Sequence, residues 1–316
     1  MRLVYSPRYE PGVSGHILRS EVYGQVVQRL LAAGLVRAAD VLEPPLAEWD
    51  DLALVHTPDY LDKVRSGSFT TADLALLELP WTPAIAESYL LNAGGTLLAA
   101  RLALEAAGRA GEAARIGAPR EAPPLAAAAN IGGGLHHAFP SRGEGFCPVN
   151  DVAVAIRVLQ RDGAIRRAAV LDADVHQGNG TAFIFAGDPS VFTCSIHQER
   201  NYPSIKPPSS LDIGLPDGAG DEEYLQAFAP ALPAVVGSRP DIIFYLAGAD
   251  PYGDDRLGGL GLTMDGLRRR DAAAFAASRD AGIPVAVVLS GGYARDPADT
   301  VAIYAATIEE AIGLGA

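Results

Sequence analysis

Short apolar runs alternate with longer amphipathic stretches along this 316-residue chain. The runs at 2–5, 125–131, 168–171, 191–196, 241–246 and 284–289 carry few or no polar alternates, which predicts strands buried on both faces. Between them, apolar residues recur at helical spacing over 84–107, 151–161, 222–236, 264–281 and 297–312. Buried strands separated by helices predict one three-layer α/β domain over residues 1–316, with a central, mainly parallel sheet. The segment 108–124, GRAGEAARIGAPREAPP, is rich in Gly, Pro and charge and predicts a solvated surface loop. The alternation continues on both sides of it, so it marks no domain boundary.

Composition adds bounds. The chain is 49% hydrophobic and 20% charged, a globular balance with length enough for a large core. Its formal charge of −13, with a sequence pI of about 4.9, repels phosphate backbones and favours cationic amines over nucleic acid as partners. Lysine occurs only at Lys63 and Lys206 while arginine and alanine abound, which reads as the base composition of a bacterial genome. The opening MRLVYSPRYE has no apolar signal core, and no run of about 18 apolar residues predicts a membrane span. Cys147 and Cys194 therefore read as reduced thiols in the cytoplasm.

The polar residues that need explaining collect in five clusters, each expected directly after a strand. They are GGGLHH with His136 and His137, DADVHQGNG with Asp172, Asp174, His176 and Asn179, SIHQ with Ser195 and His197, AGAD ending in Asp250, and SGGY ending in Tyr293. Ligands of open parallel sheets bind beyond the carboxyl ends of the strands, so five clusters at that edge predict one site. Asp174, His176 and Asp250 offer two oxygen donors and one nitrogen donor, a set that leaves a catalytic metal an open position. In an extended segment Asp172, Asp174 and His176 share a face, with Asp172 placed to orient a neighbouring histidine. Adjacent imidazoles suit the removal of a proton from water and its return to a departing amine, and a phenol after two glycines suits an oxyanion. Taken singly, each cluster has a blander reading as a turn, a helix cap or a satisfied polar pair; their common placement argues against it.

The stretches VYSPRY, VHTPDYLDKV, IGGGLHH, GEGFCPVND, VLDADVHQGNGT, AGADPYGDDRLGGL and LSGGYA resemble the zinc-dependent histone deacetylases of the arginase/deacetylase fold, over nearly the whole chain. HQGNG and GDDRLGG look closest to the class IV enzymes and their bacterial relatives. The resemblance implies Asp174, His176 and Asp250 as zinc ligands, His137 as general base and then acid, and Tyr293 as the transition-state tyrosine. It pairs His136 with Asp172 in an electrostatic role and His137 with Asn179, where class I enzymes carry an aspartate. Gly145 and Phe146 match one wall of an acyl-lysine channel and Tyr202 the other, both apart from the bland alternative of core packing. Leu257 stands where polyamine deacetylases carry a glutamate. Asp172, Asp174, His176, Ser195 and Ile196 match a structural site for a monovalent cation, K+ or Na+, held partly by backbone.

The implied reaction is hydrolysis of N-acyl amides on acylated lysine side chains or small N-acyl amines. Two departures bear on substrate. The segment 108–124 looks like an insertion, and no residue matches the rim aspartate with which class I enzymes grip a peptide. The arginase branch would need further carboxylates, for which Asp254 or Asp255 are the candidates. An acetylpolyamine amidohydrolase and a catalytically dead acyl-amine binding protein are the rival readings; the second expects a missing ligand, histidine or tyrosine, and none is missing. Oligomeric state is not written in the sequence.

Overall fold

A computed structural model describes residues 1–315 apart from Pro11, Ser14 and 116–123. In chain order its elements are β1 (Arg2–Val4), α1 (Val22–Ala32), β2 (Val41–Leu42), α2 (Trp49–Leu52), α3 (Pro58–Ser66), α4 (Thr71–Leu77), α5 (Pro83–Arg115), β3 (Ala127–Asn130), α6 (Asp151–Arg161), β4 (Ala168–Asp172), α7 (Asn179–Ile184), β5 (Val191–Gln198), β6 (Leu211–Leu215), α8 (Asp221–Phe228), α9 (Ala231–Gly237), β7 (Ile242–Leu246), α10 (Met264–Ala281), β8 (Val285–Val288) and α11 (Pro297–Gly315). The eight strands form one sheet in the order β2-β1-β3-β8-β7-β4-β5-β6, and every pairing is parallel.

The central strands β4, β7 and β8 are apolar but for Asp172 at the end of β4, because each face meets a different core. Ala169 and Leu171 of β4, Ile243 and Tyr245 of β7, and Val285 and Val287 of β8 join the side packed by α1, α8, α9, α10 and α11. Ala168, Val170, Ile242, Phe244, Ala286 and Val288 face the opposite side, with α5 and α6. Period-two alternation thus assigns successive residues to two cores rather than to core and solvent. This is the three-layer α/β architecture expected.

Some boundaries differ. The helix expected over 222–236 is two, because Pro230 lacks the N–H to continue α8 and instead caps α9. The part of the expected loop from 108 to 115 is helical instead: α5 runs on to Arg115, through a stretch whose Ala, Glu and Arg outweigh two glycines. The remainder, 116–123, lies outside the described residues. The small elements α1 to α4, α7, β2 and β6 were not anticipated; β2 has two residues, and β6 at the sheet edge shows a half-exposed LDIGL pattern. Ser195 and His197 lie within β5 rather than beyond its end, since that strand runs two residues further than its apolar core. Among the described residues no helix is long and apolar enough to cross a membrane. Cys147 and Cys194 are separate, buried thiols.

Candidate active site

The loop carrying the two histidines is held at nearly every N–H. After β3, Gly132 accepts from Leu289 N–H, and Gly133 N–H donates to Asn92 Oδ1 of α5 at 2.8 Å. Gly134 and Leu135 N–H donate to the buried carboxylate of Asp151, at 3.0 and 2.7 Å, and Thr96 braces the same carboxylate. Asp151 opens α6, so the start of one helix fixes the loop that presents His136 and His137.

Each imidazole then has its own partner. His136 Nδ1–H donates to Asp172 Oδ2 at 2.7 Å, and His137 Nδ1–H donates to Asn179 Oδ1 at 2.7 Å. The two Nε2 atoms face each other at 3.1 Å, so one must be protonated and the other bare. Burial pushes the His136 imidazole down, but the carboxylates of Asp172 and Asp174 outweigh it and raise its pKa to about 9. Burial, with the charges of His136 and His176, holds His137 well below the ordinary histidine range. His136 is therefore the proton donor across the 3.1 Å contact, and His137 keeps a bare Nε2.

Next to them lies the acidic pair. Asp174, His176 and Asp250 are buried and bring one donor atom each to within 4.8 Å of one another. His176 Nδ1 is 3.0 Å from Asp174 Oδ1 and 3.3 Å from Asp250 Oδ2. Donors 2.0–2.2 Å from a common tetrahedral ion stand about 3.3 Å apart, so the spacing suits a metal. The other carboxylate oxygens are already engaged: Asp174 Oδ2 by Ser290 Oγ and Gly291 N–H, Asp250 Oδ1 by Val175 N–H. Asp250 Oδ2 alone is buried without a hydrogen-bond partner, because the Nδ1 proton of His176 goes to Asp174. A Cβ on Gly291 would run into that free oxygen, so a glycine keeps the space open. Burial and the neighbouring Asp174 raise the Asp250 carboxyl to about 7, a repulsion that a cation relieves. The donor set fits a bound metal ion.

The approach to this group is a channel. One cavity of about 230 Å³ is lined by His136, His137, Asp174 and His176 together with Gly145, Phe146, Tyr202, Leu257 and Tyr293. Gly145 and Phe146 sit at φ 51° and 64°, the left-handed region. That strain persists because Gly145 and Phe146 donate to Leu76 and Leu77 O at the end of α4, and Glu144 and Cys147 exchange backbone bonds across the turn. Tyr202 stands edge-on to His137, with ring centroids 4.9 Å apart, and Asn201 ties its loop to Leu257 O at 2.8 Å. Phe146 meets Tyr293 edge-on at 6.0 Å. Burial, then the carboxylates of Asp174 and Asp250, hold the Tyr293 phenol protonated.

All the expected site residues but Ser195 and Ile196 line this cavity or bond to its lining. Those two lie on β5, where Ser195 is the register partner of Asp172 and its Oγ meets His197 Nδ1 at 2.9 Å. Asp255 is no metal donor: its oxygens accept from Leu257, Gly258 and Tyr293 N–H, at 2.8, 2.9 and 2.6 Å. Sequence reasoning missed this carboxylate as the strap of Tyr293, and missed Asp151, Glu144 and Ser290, whose partners in the site are all distant in sequence. The adjacency of GEG to the channel residues was the one available signal for Glu144.

The histone deacetylase domain profile matches residues 16–308. An uncharacterized protein of Picosynechococcus sp. is 40% identical over 301 residues, covering 95% of this chain and 94% of its own. A histone deacetylase-like amidohydrolase of Pseudomonas aeruginosa is 30% identical over 298 residues, covering 90% of this chain and 74% of its own. The crystal structure of the HDA15 HD domain superposes with a TM-score of 0.79 at 24% identity, covering 99% of this chain and 88% of that one, a likeness of fold. A domain match over most of the chain, carried on the same parallel sheet, makes this protein a member of the histone deacetylase family, a hydrolase of the deacetylase and amidohydrolase kind.

Proposed function

We propose that the protein hydrolyses acyl-lysine amides, with the whole described chain acting as one catalytic unit. The observation that carries the reading is the paired imidazoles, one charged and one neutral, set against the Asp174–His176–Asp250 group at the inner end of an apolar channel. Asp174, His176 and Asp250 would hold zinc. When bound, zinc supplies Lewis acidity to the acyl carbonyl and lowers the pKa of water.

The remaining work falls to side chains. Phe146 and Tyr202 pack the methylene stem of the substrate between rings, and Leu257 gives an apolar rim. His137 accepts the proton of the attacking water at Nε2, its Nδ1–H anchored on Asn179. His136, held charged by Asp172, stabilises the negative charge that develops beside it. As water adds to the carbonyl carbon, Tyr293 O–H donates to the oxyanion. His137 then passes its proton to the amine nitrogen as the C–N bond breaks, leaving a carboxylic acid and a free amine. Asp172 at the end of β4, its register partner Ser195 and Ile196 on β5, and Asp174 and His176 just past β4 would hold a monovalent cation, sodium or potassium, largely by carbonyls.

A second reading is kept by the cavity itself, whose lining also takes in the buried Tyr9, Ser88 and Asn92. Space beside those residues would admit acyl groups longer than acetyl. Turnover of the zinc-loaded protein on fluorogenic lysine peptides carrying acetyl, trifluoroacetyl and longer acyl groups, beside acetylspermidine, tests both. Lysine-peptide turnover abolished by a hydroxamate is the expected result. Turnover of acetylspermidine alone would replace the acyl-lysine reading with a small-amine one.

A further inference from the structure

An amide can face its neighbours either way round, and at Asn179 the orientation decides what His137 is. Asn179 Oδ1 accepts from His137 Nδ1–H at 2.7 Å and from Gly180 N–H at 3.0 Å, while Nδ2 donates to Glu144 Oε1 at 2.8 Å. The reversed amide would set an N–H against Gly180 N–H and an oxygen against a carboxylate. His137 could meet it only with Nδ1 bare and Nε2 protonated, the tautomer unable to take a proton at Nε2. Glu144 on one side of the amide and Gly180 N–H on the other thus make one orientation the stable one.

The same oxygen has a second duty. Glu144 Oε1 also accepts from Tyr202 O–H at 2.8 Å, and Oε2 is paired with Arg142 Nε at 3.0 Å. Its side chain is only 13% exposed and sits on the strapped turn that carries Gly145 and Phe146. Tyr202 in turn packs edge-on against His137.

We propose that Glu144 is a positioning residue whose one carboxylate oxygen locks the Asn179 amide, and with it the Nδ1–H tautomer of His137, while pinning Tyr202 as the channel wall. The role rests on His137 acting as the base. It also explains why residue 179 is asparagine: an aspartate there would face Glu144 carboxylate to carboxylate, with no proton between them. The two positions form a matched pair, and a glutamine at 144 could donate to an aspartate at 179.

The test is a double-variant cycle on the zinc-loaded protein. Glu144→Ala should lower kcat about tenfold and raise KM for an acyl-lysine peptide, with zinc content retained. Glu144→Gln, which can still accept from both partners, should stay within about threefold of the parent. Asn179→Asp should lose about a hundredfold, and adding Glu144→Gln should restore at least about tenfold of that loss. Imidazole 15N NMR, which needs no turnover, should read His137 as Nδ1–H in the parent and as a tautomer mixture in Glu144→Ala. An unchanged tautomer with kcat within about twofold, or losses that simply multiply in the double variant, would overturn the proposal. A parent inactive on every acyl-amine would remove the functional reading alone, and the NMR comparison would still decide the role of Glu144.

Discussion

Beneath Asp174 and Asp250 lies a guanidinium that reaches both of the loops supplying them. Arg270 of α10 is fully buried, and its Nη1 donates to Ala173 O at 3.2 Å and Gly248 O at 2.7 Å. Ala173 immediately precedes Asp174, and Gly248 stands two residues before Asp250. Its Nε donates to Asp271 Oδ1 at 2.8 Å; Nη2 lies equally near that oxygen but has no acceptor in line. Asp271 is held in turn by Tyr245 and Thr307 hydroxyls, at 2.5 and 2.6 Å. Replacing Arg270 by Met leaves a buried carboxylate without its cation and two carbonyls without a donor. Breaking a buried pair from one side costs about 3–5 kcal/mol. With an unfolding entropy of about 2.1 cal/mol/K per residue, a chain of 316 residues has about 0.7 kcal/mol/K, so the melting temperature should fall by about 5–8 °C. Calorimetry of the metal-free protein measures this without the contribution of bound ligand. Because both donor loops lose their tether, zinc affinity by chelator competition should drop about 10–100-fold. Adding Asp271→Asn separates the effects: it removes the orphaned charge and should regain stability, but the carbonyls stay free and affinity should not return. A variant melting within about 1–2 °C of the parent, with unchanged affinity, would refute the tether.

Three further outcomes are expected. Tyr293→Phe should keep zinc and lose about two to three orders of magnitude in kcat, so near-full turnover would strip Tyr293 of its oxyanion role. Gly291→Ala places a methyl against Asp250 Oδ2 and should weaken zinc binding at least about tenfold by equilibrium dialysis; parental affinity would mean the ion sits elsewhere. His56 is buried and neutral, donating from Nδ1 to Phe139 O at 3.1 Å and accepting Asn150 N–H at Nε2, and burial lowers its pKa from 6.5 to about 4. The unfolded chain therefore takes up this proton first. The contribution is complete above pH 6.5 and is lost as pH falls toward 4, to a total of roughly 3 kcal/mol. Urea midpoints of the parent should fall over that range more steeply than those of His56→Gln, and parallel profiles would contradict the assignment.

How much was legible depended on sequence distance. β4, β7 and β8 could be read because both faces are buried and their apolar runs, Ala168–Leu171, Ile242–Leu246 and Val285–Val288, are unbroken by polar residues. The Asp174–His176–Asp250 group and the histidine pair stand in short motifs just past such runs, which is why the sequence could point to their meeting in one place. Arg270 could not: its acceptor at Ala173 lies 97 residues away, and on a helical wheel it is one of three successive arginines. Asp255, 38 residues from Tyr293, gave no sign of which N–H it would take. Helices α2 to α4 are four to nine residues long, too short for a helical period to stand out, whereas in α1 the buried Val22, Val26, Val27 and Leu30 make a regular stripe.

The strand order has a consequence for biosynthesis. β8, the last strand in sequence, sits in the middle of the sheet between β3 and β7, which touch only through it. Until residues 285–288 have left the ribosome, the nascent chain holds two half-sheets, each ending in an open apolar edge that invites wrong partners. Asp174, His176 and Asp250 belong to one half; His136 and His137 belong to the other. The halves join in the sheet only through this strand, so a chain cut short before β8 lacks the element that brings His136 and His137 up to Asp174, His176 and Asp250.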